Sequence, residues 1–485
     1  MKATTKKINK IIDMLNNGPA VINAGITAFG DDLKHQNINS LHIQWKPAAG
    51  GDPSAIAALD KIISNAALVE KIKKANDEAV ERIMSSMFFL VDIRKASDVV
   101  PNFTGKMILH SGPPIEWNRM CGPTKGAILG ACVYEGWANS IEDAEKMCAA
   151  GEIKFDPCHH HNTVGPMAGI VSPSMWVFCI LNKTFGNYAY CTLNEGLGKV
   201  LRFGAYGEDV IKRLKWMEQT LAPALAKAVK IAVQKEGGIN IKSIISQVLM
   251  MGDECHNRNV AGTALFIKEI IPYLLQTDEN KEIIKSIVDF MSGNVHFFLN
   301  LTMPVQKAAA DTIKNIEYCS IIYGMARNGT DTGIRISGLG DDWFVSASGM
   351  PKGLYFAGYT ENDANPDLGD STITETAGIG AVAMAGAPAI VKFVGGTPDD
   401  ALKVTLDMYK ITHSKHRDFQ MPALNFEGTP LGFDIIKIMN TGILPFINTG
   451  IAHKQAGVGQ IGAGILRAPI DCFKKALKAF AEKYN

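Results

Sequence analysis

The sequence lacks the signatures that would assign it quickly. GxxxxGK[ST], GxSxG and HExxH are all absent, which argues against a P-loop kinase, an α/β-hydrolase and a zincin. The nine Cys are scattered over 485 residues without a CxxC pair, and no charged-then-apolar leader precedes them. Free thiols in a reducing, cytoplasmic compartment are the expectation. Net charge is nearly absent too, with 49 Lys plus Arg against 48 Asp plus Glu. No long-range field therefore draws the chain to nucleic acid or to an anionic membrane surface. The longest apolar runs, 164–181 and 377–391, are broken by Gly, Pro or Ser and read as buried core, so no membrane span is expected. Arginine is scarce. Only ten of the 49 basic residues are Arg, and Arg202, Arg258, Arg327, Arg335 and Arg467 lie in or beside Gly-, Asn- or His-rich stretches. A planar anion to hold and a surface ion pair are the competing explanations for each.

What is present suits a folded multidomain protein, since 47% of residues are apolar and 20% charged. Residues 20–52 predict strand, helix and strand, with strands over Val21–Ile26 and Leu41–Trp45 and the lone Gly25 at the first turn. This is a Rossmann-like βαβ half-unit with little claim on a nucleotide. Helical periodicity covers 53–87, and short apolar strands between Gly- and Pro-rich turns follow over 106–202. Helical periodicity resumes over 208–326, and strand texture returns from 327 to a terminal helix at 472–484. The predicted fold class is thus α+β or mixed α/β and multidomain. Its expected parts are 1–100 (Rossmann-like unit and linking helix), 101–207 (mixed α/β), 208–326 (inserted helical subdomain) and 327–485 (completing the Gly-rich mixed domain).

Polar, glycine-rich segments carry the candidate chemistry, because backbone amides and short side chains suit anion binding. In Cys158–Asn162, three successive His offer acid/base or hydrogen-bonding groups, with a divalent metal as the minor alternative and packing as the structural one. Residues 191–204 bring Asn194, Glu195, Lys199 and Arg202 to a loop-to-helix entrance. Asp253, His256 and Asn257 would share one face if that stretch were helical. Residues 365–375 include Asp370 and Thr374. Residues 448–467 contain a literal GxGxxG at 457–462, too close to the C-terminus for a dinucleotide fold and read instead as a loop cradling phosphate between Lys454 and Arg467.

Seven segments, HSGPPIEWNRMCGPTKGA, FDPCHHHNTVGPMAGI, LNEGLGKVLRFGAYGEDV, MGDECHNRN, ARNGTDTGIRISGLG, ANPDLGDSTITETAGIG and INTGIAHKQAGVGQIGAG, resemble in order one bacterial family. It is the family of the AllG-type subunit of oxamate carbamoyltransferase, with its YlbE- and YahG-like paralogues. The resemblance runs from about Ala66 to the C-terminus, while the segment at 21–53 resembles part of FdrA-like proteins. The family implies transfer of the carbamoyl group of oxalurate to phosphate, giving oxamate and carbamoyl phosphate, in a complex with FdrA-like and other small subunits.

Residue chemistry then nominates His160, Glu195 and His453 for proton transfer. Arg202, Arg327, Lys454 and Arg467 are nominated to hold anions. Lys125, His159, Asn194, Asn328, Asp370, Thr374, Thr449 and Gln460 complete the expected substrate contacts. No cofactor is called, and homo-oligomerisation is left open. A CoA- or nucleotide-linked acyl ligase component and a non-catalytic scaffold beside an FdrA-like protein stand as alternatives.

Overall fold

The computed structural model describes residues 12, 14–43 and 45–484. Its N-terminal unit is β1 (Val21–Ala24), α1 (Thr27–His35) and β2 (Ser40–Ile43), with the two strands paired in parallel. Gln44, within the second expected strand, lies outside the described residues. Gly25 turns out of β1 at φ +106°, a left-handed conformation that favours glycine. Two parallel strands cannot bury both faces, and Ile22, Phe29, Leu41 and Trp45 stay exposed.

The chain continues into α2 (Pro53–Ser64) and α3 (Ala66–Ser85). Asp52 accepts from Ala55 N at 3.0 Å and Asn65 from Leu68 N at 3.1 Å, so each helix starts where a short polar acceptor can satisfy a free amide. The next elements are β3 (Phe88–Lys95), β4 (Met107–His110), α4 (Gly122–Tyr134), α5 (Ile141–Ala149), β5 (Lys154–Pro157), β6 (Trp176–Asn182) and β7 (Tyr188–Thr192).

The helical stretch comprises α6 (Glu208–Trp216), α7 (Ala222–Glu236), α8 (Ile241–Met250), α9 (Val260–Leu274), α10 (Lys281–Gly293) and α11 (Leu299–Ala310). It is inserted between strand-bearing halves, but it keeps no separate core. The short β8 (Ile239–Asn240) joins the antiparallel sheet β7-β6-β3-β8, and α7 and α11 pack on that sheet. Apolar stripes such as Leu225, Val229, Leu301 and Val305 thereby share one core with Leu90, Phe178 and Ile180.

The second half supplies β9 (Ile322–Asn328), β10 (Asp331–Ile336), β11 (Phe344–Ala347), β12 (Lys352–Tyr355), β13 (Leu368–Gly369), α12 (Pro398–Tyr409), β14 (Thr412–Met421), β15 (Glu427–Phe433), α13 (Ile435–Thr441), β16 (Phe446–Ala452), β17 (Gln460–Arg467) and α14 (Ile470–Tyr484). They form the sheets β11-β10-β9-β13 and β12-β17-β16 and the hairpin β14-β15, all antiparallel. The architecture is mixed α/β with several small sheets.

One expectation is overturned here. The GxGxxG stretch is no phosphate cradle, because Gly462 and Gly464 lie inside β17, the central strand of its sheet. A Cβ on Gly462 would stand 2.3 Å from the Leu354 carbonyl oxygen, so glycine is there for close strand approach.

Candidate functional site

Arg327 on β9 organises the centre of the molecule. Its Nε donates to Asp367 Oδ2 at 2.7 Å, and Nη2 to Asp367 Oδ1 at 3.0 Å and Thr449 Oγ1 at 3.2 Å. Nη1 reaches Thr372 Oγ1 at 3.1 Å and the Gly369 carbonyl. A guanidinium has five N–H donors, and all five are engaged. Arg327 thus fastens three chain segments and has no donor left for an anion, contrary to its expected role. Thr449 also donates to Asp367 Oδ1 at 2.8 Å and belongs to the same knot. Asn328, expected to touch substrate, instead spends Oδ1 on the Thr330 and Asp331 amides at 3.1 and 2.7 Å.

Next along the chain, buried Asp370 accepts from Gly112 N at 2.8 Å and Gly165 N at 3.1 Å, and burial pushes its pKa up to about 7. Gly112, at φ +85°, could carry no side chain, since a Cβ would sit 2.4 Å from Asn328 N.

Ser371 lines a narrow cavity of about 10 Å³, roughly the space for one water, whose polar walls are Arg202, His256, Asn257, His296, Ser371 and Gln460. All six are buried. An adjoining cavity of about 40 Å³ shares Arg202 and Pro166 with it. Arg202 sends Nε and Nη2 to the Gly196 carbonyl, at 3.0 and 2.7 Å, which leaves Nη1 uncommitted. Burial lowers its pKa to about 10, so it stays charged at neutral pH.

Facing it, His256 Nδ1 lies 2.7 Å from Glu375 Oε1. Glu375 is itself held by Ala381 N at 3.0 Å and Thr374 Oγ1 at 2.9 Å. This carboxylate fixes the ring, and Nε2 is the nitrogen left for the cavity. Two further groups there are buried without a partner, Asn257 Nδ2 and His296 Nδ1. Burial, then the nearby Arg202 and His256, push the His296 pKa down to about 3. A fixed imidazole, a guanidinium and unmatched polar groups in one buried, narrow space suit a small anion undergoing proton transfer.

The other nominated residues divide. Asn194 braces the wall, donating to the His296 carbonyl at 3.0 Å and Asn300 Oδ1 at 2.6 Å. Gln460 ties Gly198 N to its Oε1 at 3.1 Å. Glu195 was expected to move protons, but its carboxylate caps the following turn through Leu201 N at 2.7 Å and Arg202 N at 3.2 Å. His160 lies in a separate open cleft, with Nδ1 3.0 Å from Asp156 Oδ1 and Nε2 accepting from Trp343 Nε1 at 3.0 Å, so neither nitrogen is free. His159 lines the same cleft, its Nε2 3.7 Å from Asp370 Oδ1. His453 Nδ1 accepts from Gln455 N at 3.0 Å, and exposed Lys454 donates to the Asn362 carbonyl at 2.5 Å. Lys125 sits 5.1 Å from the Trp117 ring centroid. None of the last five lines the cavity.

Arg467 is also displaced from its expected role. At the far end of β17 it donates to the Leu444 carbonyl at 2.9 Å and pairs with Asp407 at 3.5 Å, one-third exposed. Arg467→Lys should therefore change unfolding free energy by less than about 1 kcal/mol and leave turnover intact. A tenfold fall in kcat/KM at unchanged stability would return it to the site.

Sequence reasoning grouped His256 with Asn257 but nominated neither, and it missed Glu375, Ser371 and His296. The signal for His256 was its polar neighbourhood between two helices; nothing in the sequence pairs it with a carboxylate 119 positions away. Among the described residues no group of three or more His, Cys, Asp or Glu is placed to hold a metal ion, and no helix is long and apolar enough to cross a membrane.

Buried imidazoles elsewhere give a second check. Desolvation is the leading cause of the depressed pKa values of His110, to about 4, and of His416, to about 3, as it is for His296. A folded pKa below the ordinary 6.5 means that the native state binds fewer protons than the unfolded chain. Stability from these groups is complete above pH 6.5 and is lost as pH falls toward the folded values. Their ring resonances in a histidine-labelled NMR titration should not move between pH 8 and 5. Midpoints near 6.5 would contradict this burial.

The family model described as oxamate carbamoyltransferase subunit AllG matches residues 153–371, a span that includes Arg202, His256, Asn257, His296 and Ser371. The Escherichia coli K12 oxamate carbamoyltransferase subunit AllG is 46% identical over 413 residues, 85% of this chain and 98% of that protein. The uncharacterised protein YahG of the same organism is 45% identical over 465 residues, 96% of this chain and 98% of that one. A crystal structure of a conserved protein of unknown function from Enterococcus faecalis V583 superposes with a TM-score of 0.84 at 47% identity, covering 86% of this chain and 99% of that one. Similarity at this level over most of each chain shows that the protein belongs to the family of the oxamate carbamoyltransferase subunit AllG.

Proposed function

We propose that this chain is the carbamoyl-transfer subunit of an oxamate carbamoyltransferase-type assembly, or of a paralogue with a closely related substrate, and that the Arg202 cavity is its reaction centre. The observation that carries the reading is the buried His256–Glu375 dyad, at 2.7 Å, facing a buried guanidinium. In the proposed reaction a phosphate oxygen attacks the ureido carbonyl carbon of oxalurate. The bond from that carbon to the oxamate nitrogen breaks, and the nitrogen leaves with its electron pair. His256 Nε2 takes up the proton that the hydrogen phosphate loses on attack and delivers it to that nitrogen, and Glu375 steadies the imidazolium in between. Arg202 holds the oxamate carboxylate, and Asn257 Nδ2 donates to the oxygen that gains charge.

Oxalurate is larger than this narrow cavity, so the wall must part for it. Leu197 lies in that wall between Gly196, φ +107°, and Gly198, φ +81°, and opening there would release the contacts that Arg202 and Gln460 make with the two glycines. Partner subunits, an FdrA-like protein among them, belong to the proposal, as does a cytoplasmic setting. The exposed Ile22, Phe29, Leu41 and Trp45 of the N-terminal unit support a protein contact there.

The test is phosphate-dependent formation of carbamoyl phosphate from oxalurate, with the neighbouring subunits added back one at a time. Activity should require this chain. Full activity from the partners alone would end the proposal.

A further inference from the structure

We infer that the open cleft around Arg335 is a second anion site, built for a small phosphate or carboxylate oxyanion and separate from the Arg202 cavity. The cleft holds about 610 Å³ and is lined by Lys307, Lys314 and Arg335, with His159 and Trp343 beside them. Lys307 and Arg335 are only 2% and 3% exposed, so two of the cations lining it are buried. Lys307 is balanced by Asp311 Oδ1 at 2.5 Å.

Arg335 is balanced only by an exposed carboxylate, that of Asp341. Its guanidinium carbon lies 5.0 Å from the Tyr323 ring centroid and 5.2 Å from that of Trp343, which fixes its plane. Only Nη2 is engaged, by the Asp341 carbonyl at 3.0 Å and by the Asp341 carboxylate, while Nε is buried without a partner. The contrast with Arg327, which uses all five donors, is direct. A buried guanidinium with spare donors beside an open cleft calls for a planar or tetrahedral oxyanion.

The Asp341 side chain shows where that anion would sit. Its carboxylate bridges Arg335 and Lys314, the latter at 2.7 Å, yet it is 64% exposed and so is easily displaced. It acts as an internal stand-in for the ligand. Asp342 at the rim and Asp311 deeper in oppose binding, which limits the site to small anions that reach the guanidinium directly.

The experiment is calorimetric titration of the full chain with inorganic phosphate and, separately, with oxalate, at constant ionic strength. It reads binding alone, so it stands or falls independently of carbamoyl transfer. One of the two anions should bind, and the tighter one identifies the source. Asp341→Ala removes the competing carboxylate and should tighten binding about tenfold, whereas Lys314→Gln should weaken it about threefold, as charge-assisted contacts to an exposed rim do. Both positions are exposed enough to leave folding intact, and Arg335→Gln should abolish the binding that these two variants shift while leaving any uptake at the Arg202 cavity. Heats absent for both anions in the parent chain and in Asp341→Ala would overturn the inference. So would affinities that neither exposed variant changes.

Discussion

His256→Asn should lower kcat of the reconstituted assembly by about 10²- to 10⁴-fold, the usual contribution of a positioned acid or base. The substitution is chosen for its geometry. An Asn amide can occupy the place of Nδ1–H and still donate to Glu375, so the 2.7 Å contact survives, but it has no second nitrogen to carry a proton to the cavity. Loss of the ring leaves a small void, which should cost no more than roughly 2 kcal/mol of folding free energy. The chain should therefore remain folded, bind its partners and fail in turnover. Steady-state kinetics beside a urea melt separates the two effects. If activity falls only as far as the folded fraction falls, His256 is structural.

Arg327→Met should produce the largest loss of stability, about 3–5 kcal/mol, the cost of removing one partner from a fully buried ion pair. Both side chains of the Arg327–Asp367 pair are wholly buried. Without the guanidinium, the Asp367 carboxylate, the Gly369 carbonyl and two Thr hydroxyls lose their matched donors together. Against a typical native stability of about 5–15 kcal/mol this is a large fraction, read as a lower urea midpoint. Replacing both residues, as Arg327→Met with Asp367→Leu, should recover part of the loss, because no isolated charge is then left inside. A change under about 1 kcal/mol for the single variant, together with lost activity, would restore Arg327 to anion binding.

These two residues show how far the sequence could be read. Arg202 and Arg327 stood out for the same reason, arginine in a Lys-biased chain inside a glycine-rich motif. One faces the cavity and the other is consumed by Asp367, a partner 40 positions away in the loop before β13. Scarcity marks a guanidinium as purposeful but does not say whether its purpose is a ligand or the fold. The run of three His drew attention to His160, whose free nitrogen is taken by Trp343, 183 positions away. His256 carried less signal because its stretch was tested as a helix. It forms a tight turn between α8 and α9 instead, with Cys255 at φ +64°. Local periodicity fared better. The helices from α6 to α11 and the N-terminal βαβ unit follow from apolar spacing and caps such as Asn280, which accepts from Ile283 N at 2.8 Å. That the inserted helices share a core with β3 and β6 depends on which apolar stripe meets which sheet, a tertiary choice that no window of sequence contains.

The central claim, that the Arg202 cavity is the reaction centre, is tested most directly by a crystal structure of the assembly with oxamate and carbamoyl phosphate bound. The account predicts the oxamate carboxylate on the Arg202 guanidinium, at about 2.7–3.0 Å, with its amide nitrogen within hydrogen-bond reach of His256 Nε2. Oxamate bound at a subunit interface remote from Arg202, with the cavity unfilled, would contradict it.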